Sequence, residues 1–329
     1  MKKGFTLETN VDKFLRLYAD GKRDFQNINL KQAYLAVVNL PEVNLRYAVL
    51  NLSEVNLRGA NLQLSCLQEV DLQGANLEGA NLKRADLSEA NLEGANLRKA
   101  NLQGAKLIGT ELRRANLQEV NLRQADLVGV RNLSMADLLA ADMQGANLET
   151  TNLEKVNLQG VNLRKANLKT ARLFEADLSN AELQDTVFQS AFYNEKTRFP
   201  EDFDPVSAGM YLIAPKVSLQ GAKLVEALLF EVDLSEADLT EADLTDANLE
   251  KANLQGATLK GASFNSAELL QTNLSGADLI GADLSFASLK EAIIFDTKFQ
   301  DACYNRFTKF PEGFDPVSAG MRWIDIDID

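Results

Sequence analysis

The side chains that most often do chemistry are scarce in this chain of 329 residues. There is no histidine. Its absence removes Ser-His-Asp and Cys-His nucleophilic schemes, and with them the commonest metal ligand. The two cysteines, Cys66 and Cys303, lie far apart in the sequence. They cannot make a Cys-rich zinc site, and both are expected to be reduced surface thiols rather than a disulfide. Asn51-Leu52-Ser53, Asn132-Leu133-Ser134 and Asn273-Leu274-Ser275 match the glycosylation triplet, but they are by-products of a repeat described below. Carboxylates are abundant. Acid–base catalysis, however, needs carboxylates with displaced pKa values in a sheltered pocket. The recurrent Asp and Asn are expected instead to be solvated corners. No catalytic residue, cofactor or metal is expected, and the chain reads as a non-enzyme.

Charge narrows the partners. The chain carries a net charge of −13, and residues 217–329, with 8 Lys+Arg against 20 Asp+Glu, account for −12 of it. Such acidity argues against direct nucleic-acid binding, which needs a basic surface. The N-terminal stretch Met1-Lys2-Lys3-Gly4-Phe5-Thr6 lacks a signal-peptide core, and no run of apolar residues is long enough to span a bilayer. A cytoplasmic protein that keeps off membranes is expected.

What positions these residues is a five-residue period. From Leu57 to Leu127 every fifth residue is leucine, with a small residue two before it and usually Asn or Asp between, as in Ala60-Asn61-Leu62 and Ala85-Asp86-Leu87. A helix turns about 100° per residue, so leucines at this spacing would scatter around it. A straight strand would send successive leucines to opposite faces. Both inward positions are satisfied only if the chain bends at each repeat, closing a square coil of about twenty residues that stacks at about 4.8 Å. Gly59, Gly74, Gly79, Gly94 and Gly104 fall two after the leucine, where a corner needs positive φ. The expected product is a solenoid, quasi-one-dimensional and built of stacked repeats.

The run Ala75-Asn76-Leu77-Glu78-Gly79-Ala80-Asn81-Leu82 resembles the pentapeptide repeat family, and the resemblance extends from about Phe25 to Tyr304. It implies an all-β fold, the right-handed quadrilateral β-helix. The family includes quinolone-resistance proteins whose acidic rods imitate DNA on gyrase, so the resemblance also implies an alternative role as a topoisomerase effector.

Along the chain, residues 1–22 are expected to hold a capping helix from Thr9 to Asp20, with Val11, Phe14, Leu15 and Tyr18 on one face and Gly21 as its stop. A first repeat array follows over 23–193, with two extra residues near Asn51–Val55 and one near Val130-Arg131. The ladder is expected to stop in a cap or linker at 194–216, whose sequence Tyr193-Asn194…Thr197…Phe199-Pro200…Phe203-Asp204-Pro205 recurs as Tyr304-Asn305…Thr308…Phe310-Pro311…Phe314-Asp315-Pro316. Between the copies lies a second array, 217–304, and the chain ends in a C-terminal cap and acidic tail, 305–329. Segments similar to these motifs end many pentapeptide repeat proteins of cyanobacterial type. Each Asp-Pro is expected to start a helix of one or two turns. The sequence leaves open whether the first copy separates two solenoids or loops out of one; a cap over the last coil would favour two bodies.

Two surfaces are candidates. Glu231, Asp233, Glu236, Asp238, Glu241, Asp243 and Asp246 have no intervening Lys or Arg. At twenty residues per coil they form a girdle around the solenoid, whereas a duplex mimic needs rows along it. Asp238 with Asp278 and Asp243 with Asp283 repeat two coils apart, but Thr258 and Ser263 interrupt them. The second surface is apolar: Ile108, Val128, Met135 and Leu139 occupy turn positions that should be polar, around the one-residue insertion. The expected function is that of a rigid scaffold binding a protein partner, whose identity the sequence does not specify.

Overall fold

The computed structural model describes residues 10–28, 39–40, 42–45, 56–130, 133 and 135–325. The expected rungs Leu30, Leu35 and Leu50, the helix-cap residue Thr9 and the insertion near Asn51–Val55 lie outside them. The chain divides into two compact units: Met1–Ala191 with Lys196–Asp204, and Phe192–Glu195 with Pro205–Asp329.

In the first unit a pentapeptide with Asn before its leucine can place all five of its backbone N–H groups, as the repeats between Asn56 and Asn81 show. Asn61 pairs in parallel with Asn81, twenty residues on. Around that pair Asn81 N donates to Ala60 O at 2.8 Å and Leu62 N to Asn81 O at 2.8 Å. The corner N–H of Gly59 reaches Glu78 O, and Ala60 N closes a turn onto Leu57 O. The fifth group, Arg58 N, is taken by the Asn56 side-chain Oδ1 at 3.0 Å. In such a pentapeptide every main-chain donor is used, which is what lets so short a repeat propagate. One such pairing per face and four faces per twenty residues make the square coil.

The Asn and Asp side chains are therefore not solvated corners. Most sit half-buried in the middle of a face, and the asparagines link into a ladder: Asn61 Nδ2 to Asn39 Oδ1, Asn81 to Asn61, Asn101 to Asn81, and Asn121 to Asn101, at 2.8–3.4 Å. The corners are the two residues after each leucine. The second of these takes positive φ whether it is glycine, as at Gly94 (66°), or not, as at Glu89 (61°) and Lys99 (58°). Tertiary pairing thus overrides a local preference worth about 1–2 kcal/mol per residue.

Leucine and the small residue fill the interior. Leu77, Leu82, Leu87, Leu92 and Leu97 and the alanines between them are inaccessible. Threonine replaces the small residue where its hydroxyl can reach a rung carbonyl of the coil before: Thr110 Oγ1 to Leu87 O at 3.2 Å, Thr151 Oγ1 to Leu127 O at 2.9 Å. The insertion after Leu127 appears as register: Asn116 pairs with Asp137 and Asp126 with Asn147, twenty-one apart. Likewise Asn39–Asn61 and Asn44–Cys66 are twenty-two apart.

At the start of this unit α1 (Asn10–Ala19) places Phe14 edge-on against Phe25, 4.7 Å between centroids. Gly21 ends it at φ 95°. At the other end the ladder does not stop where the sequence suggested. Thr197-Arg198-Phe199 is one more rung, displaced by a single residue: Arg198 pairs with Asp177, and Thr197 Oγ1 donates to Leu173 O at 2.8 Å. The inserted residue hides the period. Phe203 then packs on Phe188 and Phe199, with centroids 5.2 and 5.1 Å away.

The second unit opens with β1 (Phe192–Tyr193) paired in parallel with β2 (Tyr211–Leu212) and closes with β3 (Cys303–Tyr304) paired with β4 (Arg322–Trp323). Between them rows such as Ser218–Asp238–Thr258–Asp278–Lys298 repeat every twenty residues. Lys309 adds the displaced rung, pairing with Ser288, and Phe314 covers Phe299 and Phe310 at 5.2 and 5.0 Å. The expected helices after Asp204-Pro205 and Asp315-Pro316 are only closed turns over 205–209 and 316–320. Gly209 (φ 77°) and Gly320 (φ 75°) end each before a second turn forms. Met210 N and Met321 N fold back onto Pro205 O and Pro316 O, which closes the turn.

Candidate interaction surfaces

The residues with potential chemistry are used to hold the coil. Cys66 stands in a pairing position on a face and is half-buried. Cys303 is buried, not the surface thiol expected, because β4 lies beside it and brings Arg322 Nη2 to 3.2 Å from its Sγ. Among the described residues no group of three or more His, Cys, Asp or Glu side chains is placed to hold a metal ion.

The carboxylates whose acidity is displaced all move in the same direction. Asp238 is held below the ordinary range by hydrogen bonds from the Thr240 hydroxyl and N–H. Glu119 is lowered chiefly by its bond to Arg98. At Glu154 burial opposes ionisation, but Lys155 and Arg172 outweigh it. Such groups stay charged and act as acceptors, whereas a proton donor needs a raised value.

The apolar candidates fall on three corners. Ile108 and Val128 occupy the same turn position in adjacent coils, joined by Gly109 N donating to Val128 O at 3.4 Å. Ile108 is 39% exposed and Val128 is half-buried. Met135 (68%) and Leu139 (46%) lie in the turns closed by Ala136 N to Leu133 O and Ala141 N to Leu138 O, on the next two corners of the circuit. Sequence spacing alone could not separate them, because the extra residue after Leu127 advances everything behind it. Beside Ile108 opens a cleft of about 480 Å³ lined by Glu89, Glu93, Gly109, Glu111 and Arg113. Arg113 is held in it by Glu93 at 2.6 Å. Gly109 keeps it open: a Cβ there would stand 2.5 Å from Glu89 Oε1.

The acidic residues of the second unit divide by position. Asp233, Asp238 and Asp243 are in pairing rows; the last two are half-buried, each bonded to the hydroxyl two residues on, Thr240 and Thr245. Glu231, Glu236, Glu241 and Asp246 are the positive-φ residues of four successive corners and are exposed. Glu236 meets Lys216 at 3.4 Å. One residue class that sequence reading passed over is basic: in the first unit one corner carries Lys83, Arg84, Arg123, Arg164 and Lys165.

Comparison with known proteins places this geometry. A family model described as pentapeptide repeats matches residues 24–189 almost continuously and again 216–301, in overlapping segments. No curated protein sequence matches the chain. Among solved structures it is similar to HetL, a pentapeptide repeat protein involved in heterocyst differentiation regulation from the cyanobacterium Nostoc sp. strain PCC 7120. The identity is 29%, over 89% of this chain and 96% of that one, with a TM-score of 0.21. Rfr23 of the cyanobacterium Cyanothece 51142 is 22% identical over 57% of this chain and 99% of its own, TM-score 0.20. A trypsin-treated form of QnrB1, a plasmid-mediated fluoroquinolone resistance protein, is 15% identical over 57% and 89%, TM-score 0.35.

Proposed function

Since the chain belongs to the pentapeptide repeat family, with that family's right-handed quadrilateral β-helix, we propose that it is a non-enzymatic scaffold that binds a protein partner. The handedness accords with the strong preference of parallel β connections. The observation that carries the reading is the apolar corner formed by Ile108 and Val128 beside the carboxylate-lined cleft. Elsewhere around these coils the turn positions are mainly polar, and the interior is filled by leucine and alanine. Covering the exposed remainder of these two side chains contributes about 0.5–1 kcal/mol each, a modest anchor for a contact whose rim is set by Glu89, Glu93 and Arg113. Because Gly109 N and Val128 N are held by Val128 O and Asp126 Oδ1, the corner needs little ordering on binding.

Proteins retained from the native cell by the wild type and by Ile108→Asp/Val128→Asp, both crosslinked and identified by mass spectrometry, test this. A partner kept by the wild type and lost by the variant supports the corner; identical sets remove it. An acidic rod imitating a DNA duplex is the weaker reading, because Thr258 and Ser263 interrupt the rows containing Asp238, Asp278, Asp243 and Asp283. Unchanged gyrase supercoiling in the presence of the protein would dispose of it.

A further inference from the structure

The first unit has an edge opposite in character to the acidity of the chain. Its turn positions run Lys83-Arg84, Gln103-Gly104, Arg123-Gln124, Gln144-Gly145, Arg164-Lys165, and no Asp or Glu interrupts them. The corner is continuous: Arg84 N donates to Gln103 O, Gly104 N to Arg123 O, Gln124 N to Gln144 O and Gly145 N to Arg164 O, at 2.8–3.0 Å. The cations therefore recur in alternate coils, about 9.6 Å apart at the β spacing. Arg123 meets Asp142 at 3.3 Å and Arg164 meets Glu182 at 3.9 Å. Lys83, Arg84 and Lys165 form no ion pair among the described residues. Between the long side chains Gly145 leaves a groove of about 250 Å³, lined also by Gln103, Arg123, Gln124, Gln144 and Lys165.

We propose that this edge docks against the acidic second unit of another copy of the chain. The complement is on the same molecule. Of the girdle, Glu236 is engaged by Lys216, but the exposed Glu241 and Asp246, with Glu226 one repeat before the girdle, form no ion pair among the described residues. Glu226 and Asp246 occupy one corner in adjacent coils, where Glu226 N donates to Thr245 O, and Glu241 stands on the corner before. Uncompensated cations on one unit thus meet uncompensated carboxylates on the other. Both surfaces are ruled at the same coil rise, with the cations two coils apart and Glu226 and Asp246 one coil apart, so the match is of overall charge rather than of single pairs. A net charge of −13 repels a polyphosphate from the molecule as a whole, which disfavours nucleic acid as the occupant. A contact between different patches is heterologous, and such contacts build rings or open chains of copies. The inference is independent of the Ile108–Val128 corner.

Sedimentation velocity of the full chain tests it at about 50 mM and about 500 mM salt, between which the screening length falls from about 14 to about 4 Å. Association at low salt that weakens at least about tenfold at high salt is expected. Lys83→Glu/Arg84→Glu/Lys165→Glu and Glu226→Lys/Glu241→Lys/Asp246→Lys should each be monomeric alone, with unchanged circular dichroism, and should associate when mixed. Restored association on mixing also excludes misfolding as the cause of either loss. A wild type monomeric at low salt overturns the proposal, as does a mixture that stays monomeric. So does a monomer whose basic edge retains a labelled oligonucleotide, which would assign the edge to nucleic acid.

Discussion

Asn101 offers the most direct test of how the coil is held. Its Oδ1 accepts from Gln103 N at 3.2 Å and from Asn121 Nδ2 at 3.2 Å, and its Nδ2 donates to Asn81 Oδ1 at 3.4 Å. Asn101→Ala removes all three. At about 0.5–1.5 kcal/mol net each, and with the turn N–H of Gln103 able to recruit water, the expected cost is about 2 kcal/mol. Asn101→Asp keeps both acceptor roles and loses only the donor, so about 1 kcal/mol is expected. The chain already tolerates that state: Asp142, on the same face, accepts from Gln144 N at 3.2 Å and from Asn162 Nδ2 at 3.0 Å. Repeat arrays depart from two-state unfolding, so the readout should be local. Amide hydrogen exchange of Gln103, alongside urea midpoints, separates loss of the turn bond from loss of the ladder. The order Ala worse than Asp worse than wild type is expected, with Gln103 protection lost only in the alanine variant. An alanine variant as stable as wild type, or an aspartate variant worse than alanine, would refute the account of why this position is Asn or Asp.

Leu97 is inaccessible, and Leu97→Ala should cost about 3–5 kcal/mol in chemical denaturation, since neighbouring coils cannot collapse into the cavity without breaking their pairing. Ile108→Asp/Val128→Asp should change the unfolding free energy by less than about 1 kcal/mol, which separates the surface corner from the core. Gly129 sits at φ 60°, and a Cβ there would meet nothing within 4 Å. Gly129→Ala should therefore lose only about 1 kcal/mol, from the left-handed backbone, as read from the thermal midpoint. The depressed acidity of Asp238 contributes stability above its unfolded pKa of about 3.9 that is lost as pH falls through the folded value. Thr240→Val removes the hydroxyl donor and should move the Asp238 carboxyl titration upward in pH, as followed by NMR; an unmoved titration would show that the hydroxyl is not the cause.

The amino-acid order alone determined the bend at every fifth residue, the leucine interior and the corner positions, because periodicity two and periodicity 3.6 both fail geometrically for this spacing. Its two register insertions after Phe25 were legible for the same reason. The extra rungs at Phe199 and Phe310 were not, since one inserted residue hides a repeat whose only local signature is a small–polar–apolar triplet. Nor could spacing show that Asn and Asp are structural. Their value lies in a bond to an N–H two residues on and another to a side chain twenty residues away, and the second exists only once coils stack. The buried state of Cys303 depends in the same way on β4 arriving beside it. For the surfaces, composition exposed the acidic girdle, but only the stacked register decides which charges share an edge. It separated Met135 and Leu139 from Ile108 and Val128, and it gathered Lys83, Arg84, Arg123, Arg164 and Lys165 into one line. Charges scattered along a chain become a surface only when the coil brings every twentieth residue together.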